Sequence, residues 1–269
     1  MARASSALAL TASGLIWVVL LGPLGVLVAH VSPGTIHSTL SGRGALDPLY
    51  VSLGASGVAL ACILGLGTPL AYLLARRRLP LPRVVEAGIV IPLLMPPLVI
   101  GLLLIFIIGQ SAPIGQLLSH LSGRGFGLNT FFALVVAELY EAAPYYVLSA
   151  EGAFAAVDER LEQDARLLGD RPLAAFFKVT VPLAAPGLAT GIATSWARAI
   201  GAFGAVLIVA YNPRGLPLAI DTTFIELGLG RALPYALLLV VAALPLPLLA
   251  FLWSARIRGR NLALGPAAA

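Results

Sequence analysis

Six stretches of this chain stay apolar for long enough to cross a lipid bilayer as a helix: 14–31, 49–75, 84–109, 131–150, 183–211 and 233–253. About 20 apolar residues at a 1.5 Å rise cover the roughly 30 Å of hydrocarbon, and runs of this length favour helices over the short strands of a barrel. The rest of the composition agrees: 59% of the 269 residues are hydrophobic, 11% are charged, and the mean hydropathy is +0.96. Soluble domains carry about twice that charge. The fold class expected is therefore an all-α integral membrane protein with six transmembrane helices. The first run follows Arg3 as in a secretory signal. It is long, lacks a small-residue cleavage pattern and precedes five more spans, so it reads as a span that is kept.

Lysine and arginine set the orientation, because loops that stay in the cytoplasm retain positive charge. One set of loops holds Arg3, then Arg76, Arg77, Arg78 and Arg83, then Arg160, Arg166, Arg171 and Lys178, then Arg256, Arg258 and Arg260. The alternate set holds only Arg43, Arg124, Arg214 and Arg231, and Arg198 falls inside a span. Both termini are thus expected in the cytoplasm of a multi-pass plasma-membrane protein. The division is residues 1–13 as a cytoplasmic N-terminus, 14–255 as the six-helix domain and 256–269 as a basic cytoplasmic tail. Membrane lipid accounts for the net charge of +5, and no nucleic-acid partner is expected.

Several chemistries are excluded or disfavoured. Cys62 is the one cysteine, so no intrachain disulfide or thiolate cluster forms, and His30, His37 and His120 share no ligand spacing, so no metal site is expected. Lys178 is the one lysine and follows Phe177, so a GxxxxGK phosphate loop is absent. No HExxH occurs, and the three histidines lie in or beside loops, which leaves Ser195 without a base to activate it as a nucleophile. The chain is expected not to be an enzyme and to hold no cofactor of its own.

One dense polar block interrupts this apolar chain. Residues 158–182 read DERLEQDARLLGDRPLAAFFKVTVP and carry ten charged or amide side chains. Leu161, Ala165 and Leu168 recur at helical spacing with charges on the other faces, which predicts a short amphipathic helix. Gly169 then supplies a stop, Asp170 a cap, and Pro172 a first helical turn where its missing N–H does no harm. A helix, glycine, helix unit at the membrane surface suits docking into a groove of another protein.

The spacing within this block resembles the coupling loop of permease subunits of ABC importers, which reads EAA, three residues, Gly, nine residues, then I-x-L-P. Gln163, Asp164 and Ala165, then Gly169, then Val179, Val181 and Pro182 fall at those intervals, with Gln163 and Asp164 departing from the family residues. The stretches IPLLMPPLVIGLLL, FGAVLIVAYNP and LPLAIDTTF resemble molybdate and tungstate permeases, and less closely sulfate permeases. In ARAIGAFGA the family leads one to expect an acidic residue where Ala202 stands. The resemblance implies a type I importer permease fold and a homodimer. It also implies two ATP-binding subunits on the cytoplasmic face, holding ATP and Mg, and an extracytoplasmic oxyanion-binding protein. Glu162, Gln163, Asp164, Ala165, Arg166, Gly169, Asp170, Val179 and Pro182 become the residues that couple to the ATP-binding subunit. No C-terminal regulatory domain is expected after Trp253.

Charge inside the spans marks a candidate pathway. Glu138, Glu141 and Arg198 would each cost about 2.5–3.5 kcal/mol or more at the bilayer centre, so they should face one another, water or the bundle interior. Glu138 and Glu141 share a helix face, and Arg198 is expected to pair with one of them. With Ser195 they form the expected pathway set. Pro92, Pro96, Pro97, Pro144, Pro186, Pro245 and Pro247 should bend or break their helices. Two other readings stay open: a sulfate or thiosulfate permease, and an ion-coupled secondary transporter using the same charges as a relay. The second has no need of a docking loop at 158–182.

Overall fold

A computed structural model describes residues 2–122 and 127–263, and every regular element among them is a helix. In chain order these are α1 (Ala2–His30), α2 (Pro33–Leu40), α3 (Asp47–Ala75), α4 (Pro82–Leu94), α5 (Pro97–Ile108), α6 (Pro113–Ser122) and α7 (Phe131–Ala155). There follow α8 (Glu159–Leu167), α9 (Pro172–Ala175), a π-helical turn (Phe176–Thr180), α10 (Val181–Ile200), α11 (Gly204–Val209), α12 (Leu216–Leu227), α13 (Leu229–Ala243) and α14 (Pro245–Ala263). Five spans are long and apolar enough to cross a membrane: Leu10–His30, Asp47–Ala75, Phe131–Ala155, Pro172–Ile200 and Leu229–Ser254. The bent pair α4 and α5 makes a sixth if counted as one.

α7 is the centre of the bundle, packed between α3 and α10, and small residues set how closely the three approach. A Cβ at Gly187 would lie 2.5 Å from Ala153 Cβ, and one at Gly67 would lie 3.1 Å from Tyr146 and Val147. Without a hydrophobic drive between helices in lipid, such close backbone packing supplies the dispersion contacts that hold a bundle. Gly54 meets Phe131 as Gly67 meets Tyr146, so α3 and α7 run parallel, while α10 runs antiparallel to both. One end of the bundle carries the polar block. The opposite end is closed where Ser52 Oγ accepts from Leu216 N at 2.7 Å and Asn129 Oδ1 from Tyr211 N at 2.9 Å.

Proline breaks the third run as expected. Met95 and Pro96 each precede a proline and are pushed into extended conformation (ψ 137° and 135°), so α4 and α5 are bent by 118°. The fifth run differs from expectation at both ends. Its helix begins at Pro172, because α9 and the π turn run straight into α10, and it stops at Ile200. Residues 201–211 instead form a turn and α11, which packs on α5 so tightly that a Cβ at Gly204 would lie 2.6 Å from Pro97 Cβ. The apolar side chains of α1, among them Leu15, Trp17 and Val18, are exposed in the single chain.

Candidate functional site

The polar block folds as two short helices around a glycine. Asp158 caps α8, its carboxylate accepting from Arg160 N at 2.9 Å, and Gly169 turns the chain at φ +103°, a region that side-chain-bearing residues avoid. The second cap falls on Arg171, not Asp170; the Asp170 carboxylate is instead drawn 2.5 Å from Lys178 Nζ. The expected apolar inner face is also reversed. Leu167 and Leu168 are 85% and 90% exposed and Leu161 is exposed, whereas the side chain of α8 that turns inward is Glu162, at 5%. Gln163, Asp164, Arg166, Gly169 and Pro182 stand exposed, and Ala165, Asp170 and Val179 are half-buried. Gln163, Arg166, Leu167, Asp170 and Pro172 line a cavity of ≈ 490 Å³ on the outer side of this loop.

Glu162 therefore faces the bundle and not a docking partner. Tyr72 Oη donates to its two oxygens at 2.7 and 2.9 Å, and Thr180 Oγ1 donates to Oε2 at 2.8 Å. Arg76 Nη2 lies 3.7 Å from Oε2, while Arg76 Nη1 donates to Val157 O at 2.9 Å. The Tyr72 ring packs edge-on against Phe154 and Phe176, with centroids 5.8 and 5.0 Å away. Nearer solvent, Arg78 donates to Glu159 at 2.8 Å, and that bond holds the guanidinium above its ordinary pKa. Tyr72, Arg76 and Thr180 were not singled out from sequence. A tyrosine and an arginine at the end of a span read as ordinary interfacial anchors.

The second constellation lies within the bundle. Arg198 Nη2 sits 2.6 Å from Glu141 Oε2, and Ala205 N, just past the break after α10, donates to Glu141 Oε1 at 3.3 Å. Glu141 is thus the acceptor that the sequence left open between two glutamates. Glu138 is buried on the same helix face, and its Oε2 has no hydrogen-bond partner among the described residues. Ser195 is wholly buried and its hydroxyl donates to Ala142 O at 2.9 Å, pinning α10 to α7. Ala202, where an acid was expected, is buried in the apolar core. At the opposite end of the bundle Arg214 lines a cavity of ≈ 560 Å³ with Asp47, Tyr50, Thr222, Thr223 and Tyr235. Arg231 reaches Ser38 O at 3.4 Å, and Arg124 lies outside the described residues.

These two constellations sit in a chain whose relatives are transport proteins. Residues 67–260 match the family described as the binding-protein-dependent transport system inner membrane component. A probable molybdenum ABC transporter permease protein of Haloferax volcanii is 37% identical over 233 residues, covering 87% of this chain and 84% of the relative. The molybdate/tungstate transport system permease protein WtpB of Thermococcus kodakarensis is 35% identical over 71% of each chain. Among solved structures, a chain of a bacterial alginate ABC transporter in complex with its alginate-bound periplasmic protein superposes with a TM-score of 0.70 over 95% of this chain and 96% of its own, at 14% identity, which speaks for the fold alone. With a helix, glycine, helix loop mounted on one end of such a bundle, the chain belongs to the family of binding-protein-dependent transport system inner membrane components, with the fold of an ABC importer permease.

Proposed function

We propose that this chain is the membrane-spanning subunit of an ATP-driven importer for a tetrahedral oxyanion, molybdate or tungstate. The observation that carries the reading is the α8–α9 loop. It presents Leu167, Leu168, Leu173 and Phe177 outward on a surface otherwise made of charged side chains, which is the composition of a docking site and not of a solvated turn. An ATP-binding subunit, with its nucleotide and Mg, takes this loop into its cleft. Two copies of the chain present two loops to a pair of such subunits. The loop end faces the cytoplasm, where the twelve basic loop residues gather. An extracytoplasmic binding protein delivers the anion to the end where Arg214 lies. ATP binding brings the paired loops together, and the rigid-body movement exchanges the side to which the central cavity opens.

The names of the relatives support the substrate class. Within the bundle, Arg198 supplies the positive charge that a dianion needs in a low-dielectric passage, and Glu141 holds it in place while the passage is empty. Uptake of labelled molybdate at low concentration, under a large excess of sulfate, tests the reading in cells with and without the gene. Gene-dependent, sulfate-resistant uptake that tungstate competes away is the expected result. Uptake abolished by sulfate would reassign the substrate, and uptake that survives depletion of ATP but collapses with the ion gradient would reassign the class.

A further inference from the structure

The loop that meets the partner is fastened to the bundle on its inner side through one buried carboxylate, with the Arg78–Glu159 pair as a second tie nearer solvent. α8 is nine residues long, and Glu162 is its one buried side chain. Its two oxygens receive Tyr72 from the end of α3 and Thr180 from the root of α10. Arg76, also at the end of α3, lies against the same carboxylate and donates to Val157 O just past α7. Two bundle helices, α3 and α10, thus converge on a single side chain of the loop, and Arg76 links the same point to the end of α7.

An apolar residue of similar volume would bury as well or better, since taking an ionised group out of water costs more than most contacts return. What a carboxylate adds is direction. Its hydrogen bonds fix where α8 stands relative to α3 and α10, whereas a leucine would let it slide. The chain at either end of α8 does not do this. Asp158 is an extended cap bonded within α8 and Gly169 is a left-handed turn, and neither sets the helix against α3. The π turn at Phe176–Thr180 places Thr180 against Glu162, at a widened helical turn of the kind that recurs where function needs a local adjustment.

We infer that Glu162, with Tyr72, Arg76 and Thr180, is the joint that converts displacement of the docking loop into movement of α3, α7 and α10. Glu162 is a positioning residue: it touches neither the partner nor the anion. Without it α8 still docks but swings on its ends, and the partner's movement is absorbed in the loop.

This rests on the importer reading, and the test separates the two. The complete complex is reconstituted in liposomes with its ATP-binding subunits and binding protein, and ATP hydrolysis and labelled molybdate uptake are measured together. Glu162→Ala and Tyr72→Phe are compared with the parent and with the double variant. Tyr72→Phe keeps the ring that packs on Phe154 and Phe176, so it tests the joint without opening the core. The expected result is a complex that assembles and hydrolyses ATP within about threefold of the parent, with molybdate moved per ATP reduced about tenfold in Glu162→Ala and less in Tyr72→Phe. The double variant should be no worse than Glu162→Ala, because both remove one joint. An unchanged ratio of uptake to hydrolysis in both single variants overturns the inference, as does loss of assembly or a parallel fall of both activities. A parent complex that shows no ATP-dependent uptake at all overturns the importer reading instead.

Discussion

Replacing Arg198 by methionine strands the Glu141 carboxylate in the middle of the bundle, and the cost follows from how unequally the two partners are exposed. The Glu141 side chain is 0% exposed, while that of Arg198 is 32% exposed. Removing one partner of a buried pair costs about 3–5 kcal/mol, because the charge left behind has neither water nor counter-charge. Arg198→Met should sit in that range, since the remaining donor to Glu141 among the described residues is Ala205 N at 3.3 Å. Glu141→Gln should cost less, about 1–2 kcal/mol: the amide oxygen still accepts from Ala205 N, and a guanidinium a third exposed keeps part of its hydration. The neutral pair Glu141→Leu with Arg198→Met should recover most of the loss, because no buried charge remains. Thermal unfolding of the purified protein in detergent reads all three. At roughly 2–4 °C per kcal/mol for a chain of this size, Arg198→Met lowers Tm by about 6–20 °C. If Arg198→Met proved milder than Glu141→Gln, or the double variant fell below both, the pair would not be a buried ion pair whose strength lies in the carboxylate's isolation.

Other substitutions probe the loop and the packing. Gly169→Val places a β-branched residue at φ +103° and should abolish uptake while the spans stay folded, which circular dichroism and uptake together would show. Leu167→Ser with Leu168→Ser should leave Tm unchanged within about 0.5 kcal/mol, as both are exposed, yet prevent co-purification of the ATP-binding subunit. Gly187→Leu drives side-chain atoms into Ala153 and should cost about 1–3 kcal/mol in the same melting assay; a neutral result would mean that α7 and α10 are not in close contact there.

The spans were legible because length alone decides them. Met95-Pro96-Pro97 announced its own break, since each proline restricts the residue before it. The break at Gly201 was not legible: the run 183–211 stays hydrophobic on both sides of Gly201 despite Arg198, and a run of hydropathy does not show where a helix stops. Pairing of Arg198 was readable as a need, from the cost of an unpaired charge in lipid. The choice of Glu141 over Glu138 depends on the register of α10 against α7, which three-residue spacing on one face does not specify. Glu162 was assigned outward by the ordinary rule that charge faces solvent. Its actual partner, Tyr72, lies 90 residues earlier, and no local pattern points to it.

The helix that begins in the loop does not end at the membrane surface. From Pro172 it continues through the π turn to Ile200, so one nearly continuous rod carries the docking loop at one tip and Arg198 near the other. At 1.5 Å per residue that separation is about 39 Å. Such a rod is a lever with a long arm: a tilt of about 10° at its loop end sweeps Arg198 through about 7 Å, more than the pitch of one helical turn. A partner that closes by a modest angle can therefore reposition this half-buried cation by a full contact distance, with no segment along the way needing to unfold.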